Sequence, residues 1–325
     1  MSASELPAFV FENTAEEVAT ALKEEIKGKN VLITGTSLNG IGFEAAQAIA
    51  KYANLVVITG HNEERLKRAE SALNASHPAA TIRTLTLDLS SLSSVRTAAA
   101  EVLTYPEPIH VLVNNAAAPI APFALTPDGL ERQIAVAHVG PFLFTKLITP
   151  KLLAGGTGWT PRVVVTSSGA HRYGPGIDLA HIRTPEAAKH NLGVAYTQAK
   201  SANILFASEL TRRAGGRVLG YSLHPGIIMT TFNEQPGAIE VLKGLKIISP
   251  DGTPNTKDFR WKTIPQGAAT TVAAAFDPRL VASPGAYLDD SKIATPQVAP
   301  HTSDPVNAAQ LWATTEEIVG EKFEF

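Results

Sequence analysis

The sequence predicts a doubly wound α/β fold, a parallel sheet of about seven strands with helices on both faces. Three observations predict it. Apolar runs of four to seven residues recur along the chain, as in strands buried on both faces. Longer amphipathic stretches alternate with them, the pattern of parallel strands joined by crossover helices. The first run also passes straight into a glycine-broken turn and then into a helical pattern, "VLITGTSLNGIGFEAAQ".

The elements follow in order. Residues 1–28 read as an N-terminal extension with a helix capped by Asn13 or Thr14, whose acids Glu16 and Glu17 suit the positive end of its dipole. Strands are expected at 31–34, 55–59, 81–87, 110–114, 162–167 and 218–223. Helices are expected near 42–52, 63–75, 91–104, 127–153 and 194–214, the last stopping at Gly215-Gly216. Residues 229–262 break this rhythm, and "SPDGTPNTKD" (249–258) is turn chemistry. That stretch reads as an insertion covering one end of the sheet. A helix near 265–275 and a short strand near 286–289 complete a single domain over 29–325.

Composition narrows the function. The 325 residues are 44% hydrophobic and 18% charged, enough to bury a sizeable core. A net charge of -2 gives no electrostatic footprint for nucleic acid or an anionic membrane. There is no cysteine, so disulfide and thiolate chemistry are excluded. The nine histidines show no ligand spacing, and no metal site is expected. The first 30 residues, with Glu5, Glu12, Glu16 and Glu17, do not resemble a signal peptide. No run approaches a membrane span. The expected compartment is the cytosol.

The glycine turn has a chemical reading. A pyrophosphate must lie against backbone N–H groups at a helix N-terminus, and a Cβ would hold it off. Gly35 ends the strand and Gly40-Ile41-Gly42 opens the helix. Read alone, this is either a nucleotide loop or a glycine-rich turn without a ligand. The end of the second strand lacks the acid that usually bonds the ribose hydroxyls of NAD. It reads Thr59-Gly60-His61-Asn62 instead, and His61, Asn62 and Arg65 are candidates to receive a 2′-phosphate. NADP(H) is therefore favoured over NAD(H). Asp88-Leu89 and Asn114-Asn115-Ala116-Ala117 close the third and fourth strands, where ligands of such sheets lie. Asp88 is either an acceptor for an adenine amino group or a helix N-cap.

Tyr196 and Lys200 lie four apart in "AYTQAKSANILFASELTRR" and share one helix face. A free tyrosine has a pKa of about 10, and a neighbouring ammonium would lower it. Such a pair is either a surface pair or a general acid/base for an alcohol or carbonyl. It follows a strand ending in Thr166-Ser167-Ser168, where a serine could hold the carbonyl oxygen. His171, His224 and Trp159 have loop or packing roles as their simpler reading.

These pieces, in this order, resemble the short-chain dehydrogenase/reductase family over nearly all of residues 29–320. The motifs are Thr34-Gly35 to Gly42, Asp88, Asn-Asn-Ala ending in Ala117, Ser168, Tyr196, Lys200 and Pro225-Gly226 with Thr230. "DLSSLSSVR", "SSGAHR", "KSANILFASEL", "LHPGIIMT" and "IPQGAATT" resemble its retinol-dehydrogenase-like branch. The resemblance implies a Rossmann-type sheet and hydride transfer between a nicotinamide cofactor and a carbonyl/alcohol substrate. It implies Tyr196 as acid/base, Lys200 as its modulator and a ribose ligand, and Ser168 on the substrate oxygen. Cofactor contacts would come from Gly35, Ser37, Leu38, Asn39, Gly40, Ile41, Gly42, His61, Asn62, Asp88, Leu89, Asn115, Ala116, Ala117, Pro225, Gly226, Ile228 and Thr230. A homodimer is the assembly that analogy suggests.

Three departures stand out. The glycine turn has one residue more than the family's spacing, so Thr36 to Asn39 must bulge, with Ser37 and Asn39 at the tip nearest the phosphates. Ala117 replaces a glycine. Ala137, in "AHVGPF", stands where the family has a catalytic asparagine. That last change motivates a second reading, a nucleotide-binding regulatory or scaffold protein that lost turnover. Tyr173, Ile177, Leu179, Phe232, Ile239, Leu242 and Ile247 are expected to flank the substrate pocket and to suit a lipophilic ligand.

Overall fold

A computed structural model describes residues 6–156, 158–230 and 234–325; Glu5 and Phe232 lie outside them. The strands are β1 (Asn30–Ile33), β2 (Leu55–Gly60), β3 (Ile82–Thr86), β4 (Val111–Asn114), β5 (Arg162–Thr166) and β6 (Leu219–His224), followed by β7 (Ile227–Ile228), β8 (Trp261–Lys262), β9 (Tyr287–Asp289) and β10 (Lys292–Ile293). The main sheet has the order β10-β9-β6-β5-β4-β1-β2-β3, parallel except for β10. The chain reverses its direction of travel between β1 and β4, and in such sheets the ligand crevice opens there, at the carboxyl ends.

Alternation along the strands separates two cores. Val31 and Ile33 of β1, Val111 and Val113 of β4 and Val164 of β5 face one cluster, with helices Ile41–Ala50 and Ile264–Phe276. Leu32, Leu112, Val163 and Val165 face the other, with helices Leu92–Thr104, Gly140–Leu153 and Leu192–Ala214. Successive side chains of a strand point to opposite faces, so an all-apolar strand requires helices on both sides.

The N-terminal extension joins the first core through Phe9, Ala15, Val18, Leu22 and Ile26. Of its two candidate caps, Thr14 is the one used. Its side chain accepts from the Glu17 N–H while the Glu17 carboxylate accepts from the Thr14 N–H, a reciprocal box.

Helices Leu179–Arg183, Pro236–Gly244 and Pro305–Val319 and the short pair β7 and β8 add to the expected elements, and others depart from them. The helix expected at 127–153 starts five residues later, at Arg132, with Glu131 accepting from the N–H groups of Gln133 and Ile134. Pro127-Asp128-Gly129 forms a turn instead, with Gly129 at φ +75. Residues Ala135–Val139 within it are a π-helical turn. The sheet has an eighth strand, β10, entered through Asp290 and Ser291, both left-handed at φ 49 and 60. Without asparagine or glycine, that hairpin carries no clear sequence signal.

Candidate active site

A cleft of about 1660 Å³ runs along the carboxyl ends of β1, β2, β4, β5 and β6. Its first wall is the glycine turn. Gly35 has φ +71, and a Cβ there would lie 2.8 Å from the Ala116 backbone. At Gly42 a Cβ would lie 2.4 Å from the Asn115 amide nitrogen and 2.6 Å from the Gly35 carbonyl. Gly40 is the N-cap of helix Ile41–Ala50 and makes no side-chain bond to its first N–H groups, a place that favours an anion. The helix terminus that opens at Gly40 is the part of this wall that fits a pyrophosphate, while Gly35 and Gly42 let Ala116 and Asn115 pack against the turn.

The extra residue of the loop is absorbed in a turn closed by Gly40 N–H to the Ser37 carbonyl at 3.1 Å, with Asn39 left-handed at φ 60. Ser37, Leu38, Gly40 and Ile41 line the cleft. Asn39 and Gly42 do not. Asn39 takes the left-handed turn position, which asparagine tolerates. Gly42 acts through helix–strand packing.

The second wall starts at β2. His61, Asn62, Arg65 and Arg68 line it. Asn62 also caps helix Glu63–Ser76, accepting from the Arg65 N–H at 2.9 Å. Arg68 pairs with Glu64, whereas the Arg65 side chain has no described partner. Asp88 and Leu89 line the cleft. Asp88 is not the helix cap; Ser91 is, and Asp88 Oδ1 accepts from the Ser90 N–H and hydroxyl. Asn115, Ala116 and Ala117 line the cleft too. The Asn115 amide, however, donates to the carbonyls of Thr34 and Gly35, both at 3.0 Å, so its side chain holds the glycine loop.

Ser168, Tyr196 and Lys200 converge on the far half of the cleft. Ser168 follows β5, where its hydroxyl accepts from the Ala170 N–H at 3.2 Å. Tyr196 and Lys200 sit on the helix Leu192–Ala214, begun by the Asn191 cap and ended at left-handed Gly215. Lys200 Nζ is 5.6 Å from the Tyr196 ring centre and donates to the Thr166 carbonyl at 3.2 Å. Burial pushes the Tyr196 phenol up, and a hydrogen bond with Ser168 opposes that rise. Burial lowers Lys200 to about 8. The depression of Tyr196 expected from Lys200 is thus not seen in the free site, where burial raises the phenol and the opposing contribution comes from Ser168.

Pro225, Gly226, Ile228 and Thr230 close this end. Gly226 has φ +98, and the Lys262 side chain lies under it, 2.7 Å from where a Cβ would be. Of the expected apolar lining, Tyr173, Leu242 and Ile247 face the cleft. Ile177 and Leu179 pack instead against the small core cluster that includes Ile182 and Leu205, and Ile239 is not among the lining residues. Sequence reasoning missed Ile120, Val136, Leu245 and Phe259, which also line it; nothing in their local pattern marks them. His224 lines the cleft with its imidazole pushed down to about 3 by burial. His171 bonds the Ser168 carbonyl at 2.7 Å, a loop role. Trp159 anchors its loop to the His110 carbonyl. Among the described residues no group of acids and histidines could hold a metal, and no helix is long and apolar enough to cross a membrane.

A dinucleotide crevice at the switch point, with a Ser-Tyr-Lys group at its far end, defines the class. The chain belongs to the short-chain dehydrogenase/reductase family, matching short chain dehydrogenase over residues 29–179. Its relatives include retinol-dehydrogenase-like proteins. It is 34% identical to the short-chain dehydrogenase TIC 32 B, chloroplastic, of Brassica napus, over 94% of this chain and 93% of that one. It is 32% identical to retinol dehydrogenase 12 of Bos taurus, over 92% and 89%. Among solved structures, an uncharacterized protein from Mycobacterium Paratuberculosis superposes with a TM-score of 0.68 at 27% identity, covering 100% of this chain and 99% of that one.

Proposed function

We propose that this oxidoreductase transfers hydride between NADP(H) and the carbonyl/alcohol carbon of a lipophilic small molecule. The convergence of Ser168, Tyr196 and Lys200 on the cleft that holds the uncapped helix carries the reading. When bound, the nicotinamide supplies or accepts the hydride. Ser168 holds the substrate oxygen. Tyr196 gives that oxygen a proton as a carbonyl is reduced and takes it back in the reverse direction. Burial favours the protonated phenol, so Tyr196 carries its proton in the free site. Lys200 would bond the cofactor ribose.

Arg65 supports the phosphorylated cofactor, since its guanidinium has no described partner and lines the cleft beyond β2. Replacing it, Arg65→Ala, should reduce the preference for NADPH over NADH by about tenfold, the worth of one charge-assisted bond. Equal affinities in the parent protein would overturn the cofactor assignment. Exposed Tyr173 and Leu245 at the cleft, with Ile120, Val241, Leu242 and Phe259, support an apolar substrate. The name of the Bos taurus relative points the same way.

NADPH oxidation with a panel of aromatic and aliphatic aldehydes and ketones tests the activity. The regulatory reading is favoured by Ala137, buried in the π-helical turn. Tight cofactor binding without turnover on any carbonyl, unchanged by Tyr196→Phe, would establish it. We also propose one catalytic domain over 29–325, with 229–262 covering the substrate end. The cytosol and a homodimer complete the proposal; fractionation and light scattering test them.

A further inference from the structure

Lys200 is poorly held for a buried ammonium. Its Nζ has three donors, and the described acceptor is the Thr166 carbonyl at 3.2 Å. Ammonium–oxygen bonds are usually shorter, about 2.7–2.9 Å. The same carbonyl accepts a second donor, the Asn203 amide, at 2.9 Å. The neutral group thus sits closer to the shared oxygen than the cation does. Asn203 is three residues beyond Lys200 on one helix face and is only 2% exposed. Its Oδ1 is buried without a hydrogen-bond partner among the described residues. The Lys200 backbone is fixed separately, its carbonyl accepting from the Ser167 hydroxyl at 2.7 Å.

Among the described residues, the other group set against the charge is the Tyr196 ring, its centre 5.6 Å from Nζ. Titratable groups on its own helix are Tyr196, Glu209, Arg212 and Arg213; those on the elements packed against it are Arg132, His138, Arg162, His171, Arg172, Tyr221, His224, Glu240, Lys243, His301, Glu316 and Glu317. Burial alone accounts for its lowered pKa of about 8, with no carboxylate contributing.

We propose that Asn203 is a positioning residue for Lys200. By occupying the Thr166 carbonyl it prevents that oxygen from clamping the ammonium, which stays free to turn to a cofactor ribose. Two donors on one oxygen weaken each other, and the better-placed amide leaves the ammonium the weaker share. The inference rests on the proposed role of Lys200, and its test does not require turnover.

The full chain is titrated without cofactor by nitrogen NMR of the lysine side chains, with Lys200→Arg to assign the signal. In Asn203→Leu the Thr166 carbonyl is left to Lys200 alone, and the Lys200 midpoint should rise by about one pH unit. NADPH affinity at neutral pH should fall several-fold, because the ammonium must leave a stronger bond. Asn203→Gln, which keeps an amide donor, should restore both values towards the parent. A folded Asn203→Leu with an unchanged or lower midpoint overturns the proposal. If that variant does not fold, Asn203→Ala is read in the same way; failure of both to fold makes Asn203 a structural residue and also overturns it. A parent protein that reduces no carbonyl, yet shows the expected titration shift, would sink the proposed function while leaving the control of Lys200 by Asn203 standing.

Discussion

The two halves of the cleft are built from different material. The half formed by β1, β2 and β4 is mostly backbone. Gly35 and Gly42 let Ala116 and Asn115 pack against the turn, helix N–H groups open at Gly40, and the Thr34 hydroxyl accepts from the N–H groups of Asn115 and Ala116. The half beyond β5 works through side chains, those of Ser168, Tyr196 and Lys200, with an apolar lining drawn from scattered loops. The first half should therefore be intolerant of added atoms, and the second intolerant of lost functional groups.

Four experiments can break or sharpen that contrast. The largest effect is expected from Tyr196→Phe, which removes the proton donor and leaves the packing. It should lower kcat by about a thousandfold with NADPH affinity nearly unchanged. Equal loss of cofactor affinity would show that the side-chain half also builds the cofactor site.

Gly42→Ala tests the backbone half. Its methyl would meet the Asn115 amide and the Gly35 carbonyl, so it should cost about 2 kcal/mol of stability and weaken NADPH binding. Denaturant unfolding and a cofactor titration measure both, and a neutral result would mean the turn can shift.

The third test concerns acid. Burial lowers His138 to about 3, while an unfolded histidine titrates near 6.5. The unfolded chain therefore binds a proton that the folded chain refuses as pH falls from 6.5 towards 3. Stability is fully present above that window and falls within it by about 1.4 kcal/mol per pH unit from this group. His224 adds in the same direction. His138→Gln should flatten the slope by about one proton in a pH series of unfolding curves. An unchanged slope would show that His138 protonates in the fold.

The smallest effect lies outside the cleft. Thr14→Ala removes a reciprocal cap and should cost about 1 kcal/mol, with kcat and cofactor affinity unchanged. A change in activity would tie the N-terminal helix to the cleft.

The backbone half was legible in the sequence because its requirements are local. A glycine needed for close approach, an apolar strand and an uncapped helix start each leave a mark within a few residues. Tyr196 and Lys200 were legible for the same reason, being one helical turn apart. The spacing of the glycine turn shows that the loop must bulge without showing which residue takes the left-handed position, which is Asn39. Asn115 looked like a ribose neighbour, yet its amide binds carbonyls some 80 residues earlier in the chain. The lining residues Ile120, Leu245 and Phe259 come from irregular segments, where apolar residues have no period to read.

By itself the sequence determined the main alternation of strands and helices up to β6, the position of the glycine turn and the residues proposed to react, since period and short-range chemistry decide these. The tertiary structure alone decided how those groups are set. Burial raises the Tyr196 phenol above its usual range, and Lys200 shares one carbonyl with Asn203. Desolvation and hydrogen-bond competition depend on what surrounds a side chain in space, and neighbours in the chain do not specify that.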